Sequence, residues 1–365
     1  VAVRCSATSF LVDHFSADCV FGESATETQA ISSERVPKAL PLDPISDLYG
    51  RILFHQGRFQ RITAYHELQA KKCVCAVSGS KNQWFGRYLP GEMILGDAAP
   101  RDAAIHCIQA CIPHKTVLPA GVEAVEIYRS WTSETAIVRA QETWQNEDDF
   151  IYDVTVEDTS GALCEEWKGL RLHAVAALKT NAPWNCALLV PYLERRLADL
   201  LPHADLKIAL AAISNGYQDE GITHRPDGKP EDPSAPQVEI SRSHASGLCL
   251  TVRSKCALGC DLEECIEAEE KNWKYLLGVD GFRLAEVIAG RHAISLSLAA
   301  TQIWALKESL RKSGAPLNHL LQIERHFPDG WTLLSSGSVR AAIFQTHIQG
   351  FQTQFAFGFA SRQAR

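Results

Sequence analysis

No Cys-x-x-Cys pair occurs in this chain of 365 residues, although it holds 12 cysteines. Cys73-x-Cys75, Cys107-x-x-x-Cys111 and Cys256-x-x-x-Cys260 also miss the ligand spacing of a structural zinc site. Scattered cysteines in a large chain behave mostly as small buried apolar residues. Reduced thiols, no disulfides and no zinc are therefore expected. Long uncharged apolar runs are missing too, which argues against a membrane-spanning helix. Basic residues are in deficit, 36 against 43 acidic, and the resulting charge of -7 argues against a general nucleic-acid binder. The chain opens on Val1 without a basic-then-apolar leader. It reads as a piece of a longer cytoplasmic polypeptide.

What is present suffices for a large core: 46% of residues are hydrophobic and 22% charged. The length suggests two domains or more. Residues 1–22 alternate like two short strands, and 23–46, rich in Ser, Thr, Glu and Pro, read as a linker. A second unit spans 47–178: strands from Ala64 to Val77, a helix from Ala103 to Cys111 ended by Pro113, then long alternating segments up to Ala177. Residues 179–186, with Asn181-Ala182-Pro183, form the next linker. From 187 to 365 the pattern predicts helices at Ala187–Leu201 and Ala204–Ser214, and strands around Val238–Ile240, Gly247–Val252 and Leu258–Ile266. Helical segments follow from Glu267 to Lys312, broken near Gly278 and Gly281, and then closing strands with a turn at Gly350.

Two stretches of the last unit carry chemistry. In Gly259-Cys260-Asp261-Leu262-Glu263 the alternation puts both carboxylates on one strand face. In Thr301–Lys312, Trp304, Glu308 and Lys312 recur every four residues and share a helix face. If the stretches meet, three carboxylates repel one another unless a positive charge sits among them. A hard divalent cation such as magnesium, which takes oxygen ligands and keeps positions for phosphates, answers that need. Each stretch alone reads better as an ordinary solvated surface, a helix with an i,i+4 Glu–Lys pair and an acidic strand edge.

Gly-x-Asp-x-Glu followed by Trp-x-x-Lys-Glu-x-x-x-Lys resembles the surfactin-type 4′-phosphopantetheinyl transferases. Arg225-Pro226-Asp227-Gly228-Lys229-Pro230 is similar to their Gly-Lys-Pro motif, and Ser243-His244, placed at a turn, to their Ser-His motif. The resemblance implies a pseudo-twofold α/β fold and transfer of 4′-phosphopantetheine from coenzyme A to a serine of an apo acyl carrier protein. It implies Mg²⁺ held by Asp261, Glu263 and Glu308, with Glu308 also taking the serine proton. Lys312 would neutralise the leaving phosphate, and Lys307 would be a secondary phosphate contact. His244 would meet the 3′-phosphate of coenzyme A, with Ser243, Lys229 and Arg225 nearby. No Asp-Ser-Leu tripeptide occurs in the chain, so the carrier lies elsewhere in a parent synthase or on another protein.

Residues 47–178, with a central helix followed by antiparallel strands, suggest a hot-dog unit. Asp102-Ala103-Ala104-Ile105-His106 resembles the D-x-x-x-H/Q motif in the second half of polyketide synthase dehydratases, which are double hot dogs. There the aspartate helps protonate the departing hydroxyl. The overall expectation is an α+β chain: a partial double hot dog, then the transferase fold. The order resembles the tail of enediyne-like iterative type I polyketide synthases. No histidine fits the H-x-x-x-G-x-x-x-x-P motif of the first hot dog. His14, in Val-Asp-His-Phe, looks like one of its late strands; His55 and His114 lie near glycine and proline at the wrong spacing. Each partner of an acid–base pair contributes roughly 10²–10⁴-fold, so this stretch by itself is expected to dehydrate poorly. The alternatives to a transferase are a dehydratase fragment with a degenerate second half, and a carrier-docking module without catalysis.

Overall fold

The computed structural model describes residues 1–22, 35–79, 97–129, 131, 134–178, 183–201, 206–213, 221–226, 228–315 and 320–362. Half of the 23–46 linker, part of the 179–186 linker and Asp227 lie outside them. Near the start, β1 (Ala2–Val3) and β2 (Phe15–Ser16) pair as a separate antiparallel ribbon.

The second unit contains β3 (Ile62–Leu68), β4 (Lys72–Ser78), helix α1 (Ala98–His106), β5 (Lys115–Gly121), β6 (Ala124–Ile127), β7 (Thr135–Gln145), β8 (Asp149–Asp158) and β9 (Leu163–Ala177). They form one antiparallel sheet in the order β3-β4-β7-β8-β9-β5, with β6 also paired to β9. Side chains of β7 and β8 alternate between buried and half-buried, as a sheet with one face on a core requires. Helix α1 is that core's centre. Asp97 caps it by accepting from the Ala99 N–H at 3.0 Å, and Pro100 sits in its first turn, where its missing N–H costs little. A 3-10 turn, Cys107–Cys111, prolongs it. Cys73 and Cys75 of β4 and Cys107 and Cys111 of this turn are fully buried small apolar side chains.

Helix α2 (Cys186–Leu200) follows, capped by Asn185. Then come β10 (Leu206–Ala212), the short ribbon β11 (Thr223–His224) and β12 (Pro230–Glu231), β13 (Glu239–Ala245) and β14 (Leu248–Ser254). β10 corrects the helix expected over Ala204–Ser214: Ile208 and Leu210 are buried at strand spacing, and the segment pairs with β14. β13 and β14 are joined by Ser246-Gly247, with φ of 47° and 83°. Two consecutive left-handed residues suit a tight hairpin. Ser243-His244 therefore lies inside β13, not at its turn.

The last part contains β15 (Leu258–Glu264), α3 (Glu270–His292), α4 (Leu296–Lys312), β16 (Gln322–His326), β17 (Thr332–Ser336), β18 (Val339–His347) and β19 (Gln354–Arg362). The sheet order is β15-β19-β18-β17-β16. Helix α3 breaks at Gly278, φ 69°, as expected. Helix α4 lies directly on the sheet because two strands offer glycine beneath it. A Cβ on Gly259 would come within 1.8 Å of the Ser309 carbonyl oxygen, and one on Gly358 within 2.5 Å of the Ala305 carbonyl oxygen.

The parts share a core. One buried cluster runs from Leu42 through β3, β4, β5, β7, β8, β9 and α2 to Phe359. Glu194 on α2 accepts from Ala70 N–H, in the β3–β4 turn, at 2.7 Å and from Ile208 N–H, on β10, at 2.9 Å. Arg195 reaches the opposite way, donating to Glu142 Oε2 at 2.7 Å, Tyr152 Oη at 2.8 Å and the Cys111 carbonyl at 2.7 Å. No helix among the described residues is long and apolar enough to cross a membrane.

Candidate functional site

Asp102 and His106 stand one turn apart on α1, and His106 Nδ1 lies 3.1 Å from Asp102 Oδ2. The segment Tyr49–His55, which precedes β3, closes over them. His55 Nε2 lies 3.4 Å from the same Asp102 oxygen, and the His55 and His106 rings stack with centroids 3.9 Å apart. Phe54 stacks on the other side of His55 at 4.3 Å. Tyr49 Oη meets His106 Nε2 at 3.1 Å and also accepts from the Arg61 and Ile62 N–H groups, each at 3.1 Å. Burial pushes the Tyr49 phenol up to about 12. Burial first, then the neighbouring His106, lowers the pKa of His55; Asp102 opposes them. His55 Nδ1 is buried without a hydrogen-bond partner.

Phe54, His55, Asp102 and His106 line a cavity of about 40 Å³ whose other walls include Ile52, Leu53, Ile105, Val117, Leu118 and Leu172. An apolar slot with a few convergent polar groups is the usual form of a small-molecule site. Among the described residues, His55, Asp102 and His106 are the only three potential ligands whose donor atoms all lie within 4.8 Å of one another. Asp102 and His106 were legible from spacing. His55, 47 positions before Asp102, was not, because only the folded Tyr49–His55 segment brings it there.

The second candidate lies between β15 and α4. Asp261 is 3% exposed; its Oδ1 accepts from Lys312 Nζ at 2.6 Å and from Ser243 Oγ at 2.8 Å, while its Oδ2 is buried without a partner. Glu263 accepts from Trp304 Nε1 at 3.0 Å. Burial first, and the adjacent Asp261 second, push the Glu263 carboxyl up to about 7. Asp261, Glu263, Lys312 and Trp304 are thus together, as the spacing suggested.

Glu308 is paired elsewhere. Its carboxylate accepts from Arg311 Nε at 3.0 Å and Nη2 at 2.7 Å, and the three carboxylates do not form a compact ligand set. The positive charge that the crowding demands is supplied beside Asp261 by the Lys312 ammonium. Lys312 Nζ also donates to the Arg242 carbonyl at 3.1 Å. Lys307 Nζ points away, donating to the Leu277 carbonyl at 2.9 Å. His244, on the opposite face of β13 from Ser243, is exposed; partial desolvation, then Arg242 and Lys312, lower its pKa. Lys229 pairs with Glu239, and the Arg225 N–H donates to the Lys229 carbonyl at 2.9 Å.

Residues 26–182 match the family model of the polyketide synthase dehydratase N-terminal domain. This part of the chain is a polyketide synthase dehydratase hot-dog domain. The matched description is the N-terminal domain, whereas Asp102-x-x-x-His106 resembles the motif of the second hot dog. The match stops at 182, so it lends nothing to a transferase in the remainder. No curated protein matches the chain. Among solved structures, the dehydratase domain from the CurJ module of curacin polyketide synthase is 16% identical, with 33% of this chain and 44% of that one covered at a TM-score of 0.29. The dehydratase domain of a mycocerosic acid synthase-like polyketide synthase is 18% identical, with 33% and 42% covered at 0.26. The smu.793 protein of Streptococcus mutans UA159, bound to acetyl CoA, is 8% identical, with 36% and 98% covered at 0.27. The chain thus spans less than half the length of the two dehydratase structures. TM-scores this low carry no weight for the fold.

Proposed function

We propose that the hot-dog part removes water from a 3-hydroxyacyl thioester. The observation that carries this reading is the approach of His55 Nε2 to Asp102 Oδ2, 3.4 Å, at the wall of an apolar cavity. The dehydratase family match supports the substrate class. His55 Nδ1, bare of partners, takes the proton from C2, which the thioester carbonyl acidifies. The C–H electron pair forms the C2–C3 double bond, and the C3–O bond breaks. His55 Nε2 gives its proton to Asp102, which delivers one to the departing hydroxyl, so water leaves and the imidazole stays neutral. A base and an acid in contact make good the partner that the sequence motif of the first hot dog leaves missing.

Mass spectrometry of a 3-hydroxyacyl thioester incubated with the protein reads the loss of water. Asp102→Asn and His55→Phe are each expected to slow it by about 10²-fold or more. Unchanged turnover in either variant refutes the assignment.

A second reading concerns the remainder of the chain and is favoured by Asp261, a buried carboxylate with one oxygen unpartnered beside Glu263. We infer a magnesium-dependent transfer of 4′-phosphopantetheine from coenzyme A to a serine of an apo acyl carrier protein. The sequence motifs support it, and two adjacent carboxylates suit a hard cation. Asp261 and Glu263 would hold the ion; Glu308 joins only by leaving Arg311. The ion would supply Lewis-acid neutralisation of the pyrophosphate. Lys312 holds Asp261 in place and carries charge toward the leaving phosphate, and exposed His244 is available to the 3′-phosphate. Labelling of an apo carrier with fluorescent coenzyme A and magnesium tests this reading. Glu308→Gln is expected to abolish labelling; full labelling in that variant overturns its role.

A further inference from the structure

We infer that Tyr49 is a positioning residue: it fixes the tautomer of His106 and thereby keeps Asp102 aligned beside His55. The inference deepens the dehydration reading and rests on it for its consequence, but not for its geometry. A phenolic oxygen has one proton to give and two lone pairs. Both lone pairs of Tyr49 are taken by the N–H groups of Arg61 and Ile62, each at 3.1 Å. Backbone N–H groups can only donate, so these two bonds have one possible direction. The remaining contact, His106 Nε2 at 3.1 Å, must therefore receive the Tyr49 proton.

His106 Nε2 is then an acceptor, and in the neutral ring the proton sits on Nδ1. Nδ1–H donates to Asp102 Oδ2 across 3.1 Å. The opposite tautomer would set an N–H against the phenol proton and a bare nitrogen against a carboxylate oxygen, losing both bonds. Tyr49 is itself immobilised: it is 6% exposed and lies at the end of the Pro44–Leu48 turn that Asp43 caps. The path runs from the backbone where β3 begins, through Tyr49 and His106, to the carboxylate that faces His55. Tyr49 touches no reacting atom in this scheme.

The first test reads the wild-type protein itself. Nitrogen-15 NMR of histidine-labelled protein, with the His106 signals assigned through His106→Gln, distinguishes a protonated ring nitrogen from a bare one. The expected result is a neutral His106 with its proton on Nδ1. A proton on Nε2 overturns the inference, whether or not the protein dehydrates anything. Tyr49→Phe, checked for folding by circular dichroism, removes the donor. It is expected to abolish the single-tautomer signature of His106 and to lower kcat for dehydration more than it changes KM. A fixed Nδ1–H tautomer in folded Tyr49→Phe overturns the inference as well. If the tautomer is as expected but no thioester is dehydrated, the dehydration reading fails while the role of Tyr49 in the cluster stands.

Discussion

His114 packs its ring edge against Tyr192 of α2, centroids 5.7 Å apart, and its Nδ1 is buried without a partner. Burial, reinforced by Arg195 and Lys115, lowers its pKa to about 3 from an ordinary 6.5. The native state therefore refuses a proton that the unfolded chain binds below pH 6.5. Stability is full above that value and declines as pH falls through 3, by roughly 5 kcal/mol in all. Denaturant titrations at pH 7 and pH 4 are expected to show a smaller acid-induced loss in His114→Phe than in the wild type; an equal loss removes the account. At the same scale, Arg195 is a charge held inside the molecule by Glu142, Tyr152 and two carbonyls. Stripping one partner from such a pair costs about 3–5 kcal/mol. Arg195→Met should lower the chemical denaturation midpoint accordingly, and a midpoint within error of the wild type would show that the network adds nothing. Neither residue stands out in the sequence. Their importance comes from α2 being inserted against the hot dog, which no local pattern encodes.

Helix α4 and strand β15 show what sequence periodicity can and cannot deliver. Spacing put Trp304, Glu308 and Lys312 on one face and Asp261 with Glu263 on another, and two of the three helix residues do meet those carboxylates. The orientation of Glu308 was beyond that reasoning, because Arg311 lies three residues on and competes for it locally. The β10 segment was misread because short runs of Ala, Leu and Ile fit either period until a neighbouring strand claims them. Gly259 is legible as part of a motif, but its physical task is contact: α4 lies where its side chain would be. Gly259→Ala should force the helix off the strand, costing roughly 1–3 kcal/mol or more and separating Lys312 from Asp261. Thermal denaturation reads the first effect, and an unchanged melting temperature would contradict it.

Across the whole molecule, the hot dog and the two following sheets are connected by α2, which is buried on most of its surface. The linker at 179–186 marks a change of pattern in the sequence, yet the buried cluster passes across it. Glu194 holds backbone from both sides of that boundary, so unfolding by denaturant should follow one transition for probes in either part. Separate midpoints for a hot-dog probe and a probe on β18 would show independent units. The hot dog was legible from its central helix and long alternating strands, and half of its site from the Asp-x-x-x-His spacing. The other half, His55 and Tyr49, arrives on a segment whose sequence announces only a short apolar run. The contact between His55 and Asp102 is the claim on which the proposed chemistry depends, and proton exchange at C2 tests it most directly. A 3-hydroxyacyl thioester incubated with the protein in deuterium oxide should gain deuterium at C2 in the wild type and not in His55→Phe. No exchange above the buffer rate in the folded wild-type protein, or equal exchange in the variant, would contradict the account.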